Sequence, residues 1–433
     1  MTWVLKLRNP LPLAFLLVAM FFSVTSYCQE SKEIIPSGTT GEELEVLDSS
    51  KVETKWRDKR WRLFPGKYST LKLGGGFLYE YAGYRQDENS RRQMDSLGSK
   101  LEPTFAVRDF RIVAGGQFKT KRNISWKAGF MYDGVTDSWW VRETGVMVGV
   151  PELWGNIFIG RTKEGFSLNK VMNGYAGWTM ERQMGIDVIP ILADGVKWLG
   201  YLPKQRVLWN LGMFTDWLSK GQSFSTYKWQ WVARVGWLPI YSAKTVLHVG
   251  VNYRYGEPVG GTIRLRSRPE ANPAPRFIDT GEFQSDYSNH YGGEIYYRSG
   301  SWLFGTEIYS HRFNSLTADD PVFFGGDVVA SYILTGESRP YSTATGIFGF
   351  VSVKKSVFKG GPGAWEILCR YSSLDLDGGT LKGGKFWRIT PMINWYLSKD
   401  VRLELAYGYG VLDRFNLKGA TQFFQCRIQF TLL

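Results

Sequence analysis

From about residue 70 onward one pattern recurs along the chain: segments of about ten residues in which apolar and polar side chains alternate strictly. In VRLELAYGYGV, Val401, Leu403, Leu405, Tyr407 and Tyr409 fall on one face, and Arg402, Glu404, Gly408 and Gly410 on the other. TVLHVGVNYRY sets Leu247, Val249, Val251, Tyr253 and Tyr255 against His248, Gly250, Asn252 and Arg254. ISWKAGFMYD, VLWNLGMFTDW and LKLGGGFLYEY behave in the same way. The last segment, QFFQCRIQFTLL, sets Phe424, Cys426, Ile428 and Phe430 against Gln425, Arg427 and Gln429. Side chains of a β-strand alternate between its two faces, so each segment reads as a strand with one apolar and one wet face. Length near ten residues, with aromatics toward the segment ends, is the pattern of a strand crossing a bilayer. Backbone groups in hydrocarbon must all be paired, so such strands must close into a barrel. The fold class expected is all-β, a transmembrane antiparallel β-barrel of about 16 strands.

Composition agrees with that reading. The chain holds 18 Trp, 23 Tyr, 27 Phe and 49 Gly in 433 residues. Its mean hydropathy of -0.23 averages a lipid face with a wet one. This aromatic mass excludes a disordered chain. The one long apolar run lies at the N-terminus, which argues against a helical membrane protein.

That N-terminus has the layout of a secretory leader. Lys6 and Arg8 precede an apolar stretch, Leu11 to Val24, and small polar residues lead to Ser26-Tyr27-Cys28. Residues 1–28 are expected to be a cleaved signal peptide. Tyr27 argues against the rival reading, a lipoprotein with Cys28 lipidated. Cleavage would lower the net charge of +13 by two. Residues 29–66, polar and charged, are expected to form a periplasmic segment, and residues 67–433 the barrel. Export removes nucleic acid as a partner for the positive charge. Cys369 and Cys426 fall on lipid faces and read as small apolar residues. CxxC and HExxH are absent, and neither cofactor nor metal is expected.

From Arg161 to Pro203 runs RTKEGFSLNKVMNGYAGWTMERQMGIDVIPILADGVKWLGYLP, and alternation fails for about 30 residues after Arg161. Long irregular segments in compact folds are usually functional. In a barrel, this one is either a constriction loop folded into the lumen or an ordinary outer loop.

GRTKEGFSLNKVMNGYAGWTMER, VVASYILTGESRPY, WEILCRYSSLDLDGG and PMINWYLSKDVRLELAYGYG, in that order, resemble the phosphate-selective porins O and P. The resemblance covers the chain from about residue 70 to its end. It implies a trimeric 16-stranded outer-membrane channel that passes anions, with arginines along the inner wall and an inward loop bearing basic residues. The constriction cluster of that family does not align here residue by residue. Glu164, Glu181, Asp187 and Asp194 in the irregular stretch would temper an anion preference.

The arginines that fit such a ladder lie in GGTIRLRSRPEANPAPRF. Arg264, Arg266 and Arg268 alternate with Ile263, Leu265 and Ser267, placing three guanidiniums on one strand face about 7 Å apart. Each stays charged and can fork onto phosphate oxygens. Pro269, Pro273 and Pro275 then end the strand, and Arg276 can bend back toward the pore. Lumen phase nominates Arg234 and Arg254 as well, and Arg161 and Lys163 stand where the irregular stretch begins. Two other roles compete for these residues: wall pairing with carboxylates such as Glu270, Asp279 and Glu282, and contact with lipopolysaccharide phosphates. Small anionic solutes, outer-membrane lipid and lipopolysaccharide are the expected partners, in a homotrimer. Two rivals stand beside an anion porin: a closed-lumen structural or adhesive barrel, and a barrel enzyme. The enzyme would need a base among His248, His290 and His311, and no nucleophile motif accompanies them.

Overall fold

A computed structural model of the protein describes residues 63–216 and 227–432. The expected signal peptide, residues 1–28, and nearly all of the expected periplasmic segment lie outside the described residues. Sixteen antiparallel wall strands close into one barrel among the described residues. They are β1 (Thr70–Gln86), β2 (Thr104–Gln117), β3 (Ile124–Asp133), β4 (Ser138–Val141 continuing as Thr144–Val150) and β5 (Gly155–Thr162). Then come β6 (Ala193–Leu202), β7 (Val207–Thr215), β8 (Tyr227–Tyr241), β9 (Thr245–Pro258), β10 (Tyr287–Ser299) and β11 (Trp302–Asn314). The last five are β12 (Val322–Ile333), β13 (Ala364–Gly378), β14 (Leu381–Tyr396), β15 (Val401–Arg414) and β16 (Leu417–Leu432). Each strand pairs with its sequence neighbours. β1 also pairs with β16, from Gly75 opposite Leu432 to Gln86 opposite Thr421, so no edge is left in the membrane.

The alternation sorts as expected. Along β15, Leu405 is 53% exposed on the outer face while Glu404 is fully enclosed. Cys369 and Cys426 are exposed on the outer face. At the end of the barrel that carries the chain termini, six of the seven turns are two to six residues long. The opposite mouth carries most of the long connections, including α1 (Glu88–Ser96), whose N-cap Asp87 accepts from Ser90 N at 2.7 Å.

Three connections lie within the bore. Residues 163–192 enter between β5 and β6, and residues 259–286 between β9 and β10, both from the mouth away from the termini. Residues 334–363 join β12 to β13 at the terminal end. The barrel interior therefore has an apolar core of its own. One cluster joins Leu168, Val171 and Trp178 of the first connection to Phe348 of the third and Tyr296 of the wall. Another joins Met184 and Ile186 to Ile263, Leu265 and Phe277 of the second connection and to Phe386 and Phe423 of the wall.

Of the two roles open to the irregular stretch after Arg161, the structure shows the inward one. The segment carrying Arg264 and Arg266 is a strand, but not one of the wall. Thr262–Ser267 pairs with Ile278–Gln284 in a separate inward hairpin, with a register shift between Arg264 and Arg266. Its apolar residues Ile263 and Leu265 bury against the other inward connection, and its arginines take the opposite face.

Candidate functional site

Irregular backbone inside a barrel needs partners for its polar groups. Lumen-facing wall side chains supply them. Residues 167–169 begin a short helix, Leu168–Val171, whose free N–H groups point at two buried wall carboxylates. Leu168 N donates to Glu294 Oε2 at 2.8 Å, and Asn169 N to Glu307 Oε1 at 2.8 Å. Ser167 precedes them with φ 77, a conformation that costs about 1–3 kcal/mol in a non-glycine residue. Asn252, accepting from its N–H at 3.1 Å, and Glu307, accepting from its hydroxyl, hold it there.

Further along the same connection, wall residues grip carbonyl after carbonyl. Gln429 donates to Tyr175 O at 3.0 Å, Arg402 to Gly177 O at 2.6 Å, Asn394 to Trp178 O at 2.8 Å and Arg370 to Glu181 O at 2.9 Å. The loop lies so close to β1 that a Cβ on Gly76 would stand 2.3 Å from the Tyr175 ring. The other connections are held likewise. Arg388 donates to Pro269 O at 2.6 Å and Arg414 to Phe277 O at 2.9 Å. Arg234 donates to Gly346 O at 2.7 Å, and Arg298 to Arg339 O at 2.8 Å. Arg339 ties the first and third connections together, donating to Ala176 O at 2.9 Å while pairing with Glu366 at 2.7 Å.

Among the described residues, a cleft of about 40 Å³ lies against β1, β2 and β16. Four arginines, Arg108, Arg111, Arg182 and Arg427, and two carboxylates, Asp109 and Glu181, line it. Arg108 forks onto Glu181 at 2.8 and 3.0 Å. Arg427 pairs with both Glu80 and Glu181. Arg111 donates to Asp109 at 3.0 Å and lies 4.5 Å over the Tyr175 ring. Burial alone would raise Glu181, but Arg108 and Arg427 hold its carboxyl well below the usual carboxylate range.

Toward the outer mouth the inward hairpin adds a second basic group. Arg266, Arg268 and Arg276 have no carboxylate within ion-pair distance among the described residues. Arg268 donates to Ala274 O at 3.0 Å. Burial pushes Arg276 down to about 10, and the neighbouring Arg266 and Arg268 add to the shift. Burial also lowers Arg268, helped by the like charge of Arg108 in the cleft. Asp187 of the first connection faces this group. Its carboxyl is open to lumen water yet surrounded by protein. That surrounding pushes it up to about 6, against the pull of Ser267, which donates at 2.6 Å, and of Arg276.

The residues nominated from sequence thus separate. Arg266, Arg268 and Arg276 gather in the lumen. Arg264 stands apart, paired with Asp279 at 2.6 Å with 44% of its side chain exposed. Arg234 and Arg254 are enclosed. Arg234 holds Glu294 and the third connection, and Arg254 holds Glu164 at 3.0 Å and Gln230 at 2.6 Å. Arg161 is buried on Asp194 at 3.1 Å, and Lys163 donates to Met172 O at 2.9 Å. Arg108, Arg111 and Arg182 are additions from the structure. Arg427 lay on the polar face of the final strand and could have been read from that phase. The histidines make wall contacts: His248 bridges Glu294 and Tyr341 at 2.7 Å each, and His290 and His311 face each other at 2.8 Å.

A family model described as phosphate-selective porin O and P matches residues 72–432. Among curated proteins, an uncharacterized protein of Caulobacter vibrioides is 31% identical over 189 residues, 42% of this chain and 37% of its own. Porin O of Pseudomonas aeruginosa is 25% identical over 208 residues, 41% of this chain and 46% of its own. The matched region thus spans less than half the length of either relative. Among solved structures, outer-membrane-expressed OmpT of Vibrio cholerae aligns with TM-score 0.55 at 11% identity, over 85% of this chain and 99% of that one. An anion-selective porin from Comamonas acidovorans aligns with TM-score 0.52 at 11% identity, over 84% and 99%. At such identities these two establish the barrel fold alone.

Proposed function

This chain belongs to the phosphate-selective porin O and P family and is a porin of the cell outer membrane, and from that premise we propose that it passes small anionic solutes, with phosphate-like oxyanions among them. The observation that carries the reading is the run of guanidiniums with no ion-pair partner. Arg266, Arg268 and Arg276 lie close enough to feel one another's charge, and Arg268 also feels Arg108 of the arginine-lined cleft. Each guanidinium replaces part of an anion's hydration shell with directed N–H donors. Several such sites in series let an anion enter without trapping it. Asp187, Glu181 and Asp109 subtract from that field, so a graded preference is expected, not absolute selectivity. A homotrimer is part of the proposal, supported by the trimer form of the similar Vibrio cholerae barrel.

One observation favours the closed-lumen alternative: three connections lie within the bore and pack against its wall. Single-channel recording of the full-length protein in planar bilayers separates the two. The porin reading predicts open-channel conductance, chloride preferred over potassium, and chloride current reduced by added phosphate. A silent bilayer, or potassium preference, would overturn it. An enzyme is not favoured: the three histidines are enclosed among wall and loop groups, and Ser288, whose hydroxyl lies 2.9 Å from His290 Nε2, is fully buried with it, where no substrate reaches the pair.

A further inference from the structure

The outer face of the barrel carries a concavity that the channel function does not use. Across β10 to β14, in the half of the wall nearer the outer mouth, a groove of about 720 Å³ opens toward the bilayer. Tyr291, Phe324, Tyr371 and Trp387 stand around it. Its floor is low because Gly293 and Ser373 occupy outward positions where a barrel ordinarily carries a large apolar residue. A Cβ on Gly293 would meet nothing nearer than 3.7 Å, so the space is open and not taken by a neighbouring strand.

The rim toward the mouth is cationic. Arg312, two residues from the end of β11, is exposed, lies 5.5 Å over the Tyr291 ring and has no ion pair among the described residues. Lys385 of β14 is half exposed and pairs with Asp375 at 2.8 Å, with Asp377 and Asp413 also in its field, so Arg312 is the rim cation without an ion pair among the described residues. An apolar trough beneath a cation, at the depth where the acyl region of the outer leaflet meets its headgroups, matches an anionic amphiphile oriented with its charge outward.

We propose that this groove binds a phosphorylated, multiply acylated glycolipid of the outer leaflet, with an acyl chain over Gly293 and Ser373 and a phosphate at Arg312. Charge complementarity selects this occupant over a second copy of the chain. The inference rests on the outer-membrane placement and not on the anion reading, so either can fail alone.

Native mass spectrometry of the full-length protein in detergent, titrated with hexa-acylated bis-phosphorylated lipid A, tests it. The wild type should retain lipid A through detergent exchange. Filling the groove with Gly293→Leu and Ser373→Leu should weaken retention by about tenfold or more, as the acyl contact area is lost. Arg312→Ala should weaken it about fivefold, and monophosphorylated lipid A should bind the wild type less tightly than the bis-phosphorylated form. Millimolar inorganic phosphate should not displace it. Equal retention by wild type and both variants overturns the proposal. So does a groove-filled variant that dissociates to monomers with lipid retention intact, which would assign the groove to a contact between protomers. If the double variant fails to fold, Arg312→Ala decides alone, because that side chain is exposed and makes no ion pair.

Discussion

Wall arginines and hairpin arginines carry the same charge and do opposite work. Arg370, Arg388, Arg402 and Arg427 are 2%, 1%, 3% and 2% exposed and spend their donors on loop carbonyls or buried carboxylates. Arg266, Arg268 and Arg276 are half-buried, with no carboxylate within ion-pair distance among the described residues. The difference follows from what each backbone needs. A wall strand satisfies its own N–H and C=O groups in the ladder, so its lumen side chains are available to hold something else. The inward loops have backbone groups to satisfy and take those side chains as partners. The hairpin pairs part of its backbone internally, with Arg264 and Arg266 in register with Glu282 and Asp279, and wall residues Arg388 and Arg414 hold its turn carbonyls from outside. Arg266 and Arg276, and the part of Arg268 not spent on Ala274 O, are thereby left for solute.

The comparison breaks most sharply at Arg427. Arg427→Ala leaves Glu80 and Glu181 buried with one fewer partner, and removing one side of a buried pair costs about 3–5 kcal/mol. Its urea midpoint in detergent should fall, and its open-channel current should become noisier as the loop loosens. The triple change Arg266→Ala, Arg268→Ala, Arg276→Ala should do the reverse, moving the midpoint by less than about 1 kcal/mol and the ion selectivity strongly.

A smaller effect tests the field around the hairpin. Asp187, pushed up to about 6, is charged at pH 7 and neutral at pH 5. Losing its negative charge strengthens the arginine field, so anion preference should rise as pH falls through 6. Asp187→Asn should show the higher preference at both pH values and abolish that step. The smallest effect belongs to Arg264, whose exposed pair with Asp279 is worth about 0.5 kcal/mol at most. Arg264→Ala should leave both the folding midpoint and the reversal potential nearly unchanged. A large shift in either would erase the distinction drawn among the hairpin arginines.

The barrel was legible because lipid and water impose a period of two on every wall strand. The site was legible only in part. Phase assigns Arg234 and Arg254 to the lumen side, where they are, yet phase does not say that an inward loop covers them. Residues 334–363 carry no composition that distinguishes an inward connection from an outer one, since their anchors, Arg234, Arg298 and Glu366, lie far away in sequence. Arg108 escaped for a local reason. A bulge opposite Leu78 and Tyr79 leaves Arg108 outside the pairing of Val107 and Asp109, so the adjacent Arg108 and Asp109 both reach the cleft. Strict alternation sends one of them to lipid. Arg266, Arg268 and Arg276 were visible because alternation and the prolines around them place guanidiniums together in any strand-and-turn geometry.

The central claim is that the hairpin arginines, and not the more numerous wall arginines, set the charge preference of the pore. Its most direct test is the zero-current potential of wild type and the Arg266→Ala, Arg268→Ala, Arg276→Ala variant in planar bilayers under a tenfold potassium chloride gradient at pH 7. The wild type should reverse on the chloride side of zero, and the variant should move toward zero with its folding midpoint preserved. A correctly folded, conducting variant with an unchanged reversal potential would contradict the claim and return those three residues to a structural role.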